Sequence, residues 1–323
     1  PHFRYDGSDS CKAIACKAIT GGHLDFYQNL VMHYGFPDYQ DPSIARALVL
    51  PAITSGKLAV VELLTAKLHG QLLTTDHLLE AVRLGHTSIY KFLIDSTLLP
   101  PDIYNASMVE EILSHACLFD NLELVKYFLE DKTAQEKWHF TPETLQLTES
   151  LRDRALQGGS KKVLKYLHDK DPNLLVPKEL FEEFPALFVA ANNKQLNMCR
   201  HLINKYKLDP LFRTDEDESC IHAAAAGGDY DCFLWLADIP FSKDELPINS
   251  NGETPLHYAA RAGNYWFIRQ AYEQFDVNEF LRKSTAGTTL LQYALQSNNE
   301  HLIEFLKPID KHQTSHTTSN LTI

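Results

Sequence analysis

The chain has 323 residues, 44% of them hydrophobic, with a formal net charge of −12 at pH 7. That apolar content supplies a continuous core. The negative charge argues against general affinity for nucleic acid or anionic lipid, which both need a basic surface, and no stretch approaches the roughly 18 apolar residues of a membrane helix.

From the N-terminus, Pro1 to Asp9 is polar, without the basic-then-apolar pattern of a signal peptide, and residues 1–10 form a leading segment. A unit then recurs over residues 11–308. Its anchors are Ala15, Val49, Leu78, Leu113, Arg152, Leu187, Ile221, Leu256 and Leu291. Three residues after each anchor stands an alanine: Ala18, Ala52, Ala81, Ala116, Ala155, Ala190, Ala224, Ala259 and Ala294. Eleven residues after the anchor comes an apolar run, as in Ile89–Ile94, Leu124–Leu129 and Leu302–Leu306, with the spacing of a helix buried on one broad face. The first six units are degenerate, and regular spacing carries them.

The last three anchors are 35 residues apart. Spacings of 29 between Val49 and Leu78, and of 39 between Leu113 and Arg152, point to a shortened connection near Gly70 and an enlarged one over 130–149. Gly22, Gly56, Gly85, Gly159, Gly228 and Gly263 lie seven residues after their anchors, where a helix end needs a left-handed residue. Asp120 and Asn298 replace two of them tolerably and Lys194 poorly. Pro51 should make the first helix of repeat two start late or bend. Leu99–Ile103 reads as a connecting loop, and the polar, non-periodic segment 309–323 as a disordered tail.

The most regular unit is Gly252-Glu253-Thr254-Pro255-Leu256-His257-Tyr258-Ala259-Ala260, closing in Gly263-Asn264. With it the chain resembles the ankyrin-repeat family over residues 11–308, which implies an all-α ankyrin-repeat solenoid of about nine helix-turn-helix repeats. Thr254 can cap the first helix, Pro255 suits its first turn, and Ala259 lets neighbouring repeats approach closely. The resemblance also implies that His222 and His257 hydrogen-bond between neighbouring turns, and that His23 and His86 stand at a second position favoured for histidine.

No chemistry stands out. No HExxH, phosphate-binding glycine loop or GxSxG occurs, and His115 and Cys117, two apart on a helix, face different ways. The six cysteines, at 11, 16, 117, 199, 220 and 232, form no CxxC pair, and free buried thiols in a reducing, cytoplasmic compartment are expected. No cofactor, metal or catalytic residue is assigned, and the chain is not expected to be an enzyme.

What remains is surface. Family geometry places residues two, five and six after each anchor on the concave side, and the residue three before it along the rim. Those columns give Glu80, Arg83, Leu84, His115, Leu118, Phe119, Arg154, Gln157, Asn192, Asn193, Tyr258, Arg261, Tyr293 and Gln296 on the floor. They give Glu110, Glu149, Glu218 and Glu253 on the rim, with Asp215-Glu216-Asp217 adjacent. An acidic rim above an aromatic and arginine-bearing floor suits a basic or mixed-charge protein segment. The leading expectation is therefore a monomeric protein-binding scaffold. The rival is the recruiting part of a larger enzyme, or a hydrolase using Cys220 with a histidine. Degenerate, uneven arrays of this kind look like effectors that intracellular bacteria secrete into host cells.

Overall fold

The computed structural model describes residues 9–36, 38, 41–68, 72–96, 98–141, 148–175, 186–238 and 246–318. The first repeat is α1 (Asp9–Thr20) and α2 (Leu24–Tyr34), the second α3 (Pro42–Thr54) and α4 (Leu58–Thr65), the third α5 (Thr75–Arg83) and α6 (Thr87–Asp95). The fourth is α7 (Ala106–Leu118) and α8 (Leu122–Glu130), followed by an inserted helix, α9 (Lys132–Lys137). The fifth is α10 (Thr148–Gly158) and α11 (Lys161–Lys170), the sixth α12 (Ala186–Asn192) and α13 (Leu196–Tyr206), the seventh α14 (Cys220–Gly227) and α15 (Tyr230–Asp238). The eighth is α16 (Pro255–Arg261) and α17 (Tyr265–Gln274). A short α18 (Val277–Leu281) leads to the ninth, α19 (Leu290–Ser297) and α20 (Glu300–Thr318). Two 3₁₀ turns, Pro101–Ile103 and Pro172–Leu175, complete the helical elements, and no strand occurs among the described residues beyond an isolated bridge from Arg213 to Ser219.

Two compact units divide the chain, residues 1–154 and 155–323. Within the first, α1 packs on α3, α3 on α5 and α5 on α7. Within the second, α12 packs on α14, α14 on α16 and α16 on α19. In eight of the nine repeats the second helix lies against its own first helix, as α4 does on α3 and α15 on α14. The alanine column explains the closeness of this stacking. All nine alanines are buried, none more than 4% exposed, so helices meet at a methyl group rather than a long side chain.

Repeat starts and stops follow local chemistry. Thr74 with His77, Ser219 with His222, Thr254 with His257 and Thr289 with Gln292 form reciprocal capping boxes that satisfy the free N–H groups of the first turn. At the other end the column expected to be left-handed is so throughout: Gly228 has φ 79°, and even Lys194 is held at φ 61°. The residue after this turn then binds backward. Lys57 Nζ donates to Gly21 O at 2.9 Å, Gln195 Nε2 to Gln157 O at 2.9 Å, Asn264 Nδ2 to Ala226 O at 2.8 Å and Asn299 Nδ2 to Gly263 O at 2.8 Å. These bonds satisfy carbonyls that the helix end leaves open.

One expectation changes. Pro51 does not delay its helix: α3 starts early, at Pro42, with Asp41 accepting from the Ser43 N–H at 2.8 Å. Pro51 falls in its last turn, where a missing donor costs one hydrogen bond. The enlarged connection after repeat four carries α9, whose following Trp138 is buried against Phe128 and Tyr104. The last helix, α20, runs from Glu300 to Thr318, into the segment from residue 309. Residues 1–8, 69–71, 142–147 and 319–323, on which other expectations fall, lie outside the described residues.

Candidate protein-binding surface

In the second unit, the turn before α16 and the exposed sides of α16 and α19 meet in a single polar cluster. Asn249, which stands in that turn, is the hub. Its Oδ1 accepts from the backbone N–H of Asn251 at 3.0 Å and of Glu253 at 2.8 Å, and its Nδ2 donates to Glu253 Oε2 at 3.0 Å and to Tyr258 OH at 2.9 Å. The hydroxyl of Tyr258 donates to Glu218, while Arg261 and the hydroxyl of Tyr293 both donate to Glu253. The Arg261 guanidinium lies over two rings, 5.2 Å from the centroid of Tyr258 and 4.6 Å from that of Tyr293.

Electrostatics in the cluster follow from this geometry. Burial pushes the Glu253 carboxyl up, but hydrogen bonds from Tyr293 and Asn249 and the Arg261 charge outweigh it, so its pKa falls below the usual carboxylate value. Burial, reinforced by the bond to Glu218, raises the Tyr258 phenol. His222 and His257 lie beneath. Each Nδ1 takes the backbone N–H of its capping residue, Ser219 at 3.1 Å and Thr254 at 3.0 Å, so the proton stands on Nε2. From there His222 donates to Glu253 O at 3.2 Å and His257 to Arg282 O at 3.2 Å, the link between turns that the resemblance implied. Burial lowers both rings to about 4, leaving them neutral at pH 7.

Five of the residues selected from sequence, Glu218, Glu253, Tyr258, Arg261 and Tyr293, thus come together. Glu253 differs from its expected place on an exposed rim: it is buried, because the three donors around it pull the carboxylate inward. The open acidic edge is Asp215, Glu216 and Asp217, all exposed, with Glu218 partly so. Sequence reasoning missed Asn249. Its signal was the Asn-Ser-Asn-Gly turn at 249–252, where an asparagine side chain mimics a backbone turn.

The first unit places the remaining candidates differently. Arg83 forms a two-pronged pair with Glu80 on its own helix, at 2.8 and 2.6 Å. Leu84, Leu118 and His115 are half-buried, and His115 Nδ1 meets Glu111 O at 2.8 Å. Phe119, just past the end of α7, is 42% exposed, and Arg154 and Glu110 are exposed as well. Gln157, in the second unit, is half-buried with its carbonyl held by Gln195. The Glu149 side chain lies outside the described residues.

The four cysteines whose side chains are described offer no nucleophile. Cys117, Cys199, Cys220 and Cys232 are free and buried. Cys220 Sγ donates to Pro210 O at 3.3 Å rather than to a histidine, and burial pushes its thiol up to about 12. Cys199 and Cys232 pack with sulfurs 3.8 Å apart. No group of three metal-ligating side chains and no helix long and apolar enough to cross a membrane occurs among the described residues.

A family model for ankyrin repeats in three copies matches residues 187–280 and again 221–317. Alpha-latrocrustotoxin-Lt1a of Latrodectus tredecimguttatus is 24% identical over 222 residues, covering 62% of this chain. The match spans 15% of that toxin's length. Matched repeats, helix pairs stacked within each unit and histidine-linked turns agree: residues 187–317 are ankyrin repeats, and the chain is all-α throughout its described residues.

Proposed function

We propose that this chain is a scaffold that holds another protein on the surface carried, in each unit taken by itself, by the first helices and the turns before them. Ankyrin repeats are protein-interaction modules, and the observation that carries the assignment here is the Glu218–Asn249–Glu253–Tyr258–Arg261–Tyr293 cluster. Its rings and guanidinium are fixed before any partner arrives. Binding therefore costs little side-chain entropy, and tyrosine and arginine are the side chains that dominate interface energies. The open acidic edge at 215–217 favours a basic or mixed-charge segment, and Phe119 supplies an apolar anchor in the first unit.

Free buried thiols suit a reducing compartment, which supports a site of action in the cytoplasm. The matched relative is named as a toxin, in keeping with an effector that acts on the proteins of a host cell. The test is capture from eukaryotic lysate by the immobilised chain, with wild type compared against a Phe119→Ala, Asp215→Lys, Asp217→Lys variant. The expected result is a protein captured by the wild type and lost by a variant that melts normally. Equal capture by both would overturn the assignment of this face.

A further inference from the structure

The second helices of repeats five and six depart from the charge of the rest of the chain. Overall, 42 aspartates and glutamates outnumber 30 lysines and arginines. On α11 and α13 the balance reverses: five lysines and one arginine stand against a single carboxylate, Asp169. Lys161, Lys165, Arg200 and Lys205 are exposed, and none of the four has an ion-pair partner among the described residues. Lys161 and Lys165 are four apart on one side of α11, and Lys165 and Arg200 occupy the same register position in neighbouring repeats.

Two of these cations are already ordered. The Arg200 guanidinium lies 5.4 Å from the centroid of the Trp235 ring, and Lys205 Nζ 4.9 Å from that of Tyr206, so a partner loses little by fixing them. Tyr206 also marks the seam between the helices, where His168 meets its ring edge-on at 4.7 Å and His201 at 5.5 Å between centroids. Tyr206 OH, His168 Nδ1 and His201 Nε2 are buried there without a hydrogen-bond partner among the described residues. Burial, then the Lys205 and Lys161 charges, lower the His201 pKa, which sets both ammonium groups close to the seam. Cations and unspent polar groups thus gather at one place in an otherwise acidic chain.

We propose that the α11–α13 face docks a short acidic segment of a partner protein, its carboxylates pairing with Lys161, Lys165, Arg200 and Lys205 above the His168–Tyr206–His201 seam. Such a segment fits better than a nucleic acid or a membrane. Those present negative charge over a broad surface, which the carboxylates beyond the patch would oppose in a chain of net charge −12. A few acidic residues meet only this face, since charges more than about 8 Å away are largely screened at physiological salt. The docking is independent of the first-helix surface proposed above, which favours a segment of the opposite charge.

Fluorescence anisotropy of a labelled oligoglutamate peptide with the full chain tests this, with a single-stranded DNA oligonucleotide and phosphatidylserine vesicles as parallel probes. Saturable binding of the peptide is expected, weakening as salt rises. Lys161→Glu with Lys165→Glu should weaken it at least about tenfold. Lys283→Glu with Lys307→Glu, at two exposed lysines elsewhere in the same unit, changes the net charge equally and should leave binding within about twofold. Both variants should melt as the wild type does. No peptide binding would overturn the proposal, and so would equal weakening by the two variants, which means that net charge alone attracts the peptide. Tighter binding of the oligonucleotide or the vesicles, lost with Lys161 and Lys165, would overturn the assignment of an acidic protein segment.

Discussion

Acidification should loosen the second unit through two histidines. His222 and His257 are lowered to about 4 by burial, and an unfolded histidine titrates near 6.5. Because the folded pKa lies below the unfolded one, the unfolded chain takes up protons first. Stability is therefore full above about pH 6.5 and is lost as pH falls toward about 4. Between about pH 7.5 and pH 5 each ring contributes a loss of the order of 2 kcal/mol, about 4 kcal/mol for the pair. The lowered Glu253 carboxyl acts in the same direction at lower pH, where its protonation breaks the bonds it accepts. The informative variant already exists inside the protein. In repeat nine the histidine position holds Gln292, whose Oε1 accepts the Thr289 N–H at 2.9 Å, so glutamine keeps the cap. His222→Gln with His257→Gln should cost about 1 kcal/mol for each lost bond to the next turn. It should also flatten the dependence of urea midpoint on pH. A double variant that keeps the wild-type slope would refute the assignment of the linkage to these rings.

Three further outcomes follow from the packing. Ala259→Leu should cost roughly 1 to 3 kcal/mol, since α16 meets its neighbours at that methyl; hydrogen exchange should show loosening concentrated near repeats seven to nine rather than throughout. Gly228→Ala should destabilise by about 1 to 3 kcal/mol, because φ is 79° and a Cβ would meet the Asn264 side chain at 2.6 Å; thermal melting checks it. Lys194→Gly should stabilise by up to about 1 kcal/mol by releasing a left-handed backbone, measured by the same melt.

The repeat register was legible because it rests on steric rules that a sequence states openly. An alanine every repeat, a glycine at six of the nine left-handed turns and a capping threonine or serine in four repeats leave little choice of helix ends. Where those rules were absent the reading failed. Nothing in Lys132–Trp138 announces that the long connection folds, because α9 is short and is held by Trp138 against Phe128 rather than by its own periodicity. The site divides in the same way. Tyr258 and Arg261 were found from their columns. The inward turn of Glu253 was not, since it depends on three donors converging from residues 249, 261 and 293, two of them on other elements. Arg152 is the counterpart in the first unit. It occupies a core anchor yet is buried with its Nε 2.8 Å from Asp153, a pairing that periodicity does not foresee.

The central claim, that a preformed first-helix face holds a partner protein, is tested most directly by titration calorimetry with a protein captured by the wild type. Phe119→Ala, Asp215→Lys and Asp217→Lys in one chain should raise Kd at least about thirtyfold, some 2 kcal/mol, while the melting temperature stays within about a degree. An unchanged Kd would place the partner elsewhere on the molecule, and a collapsed melt would show that these residues serve the fold rather than the partner.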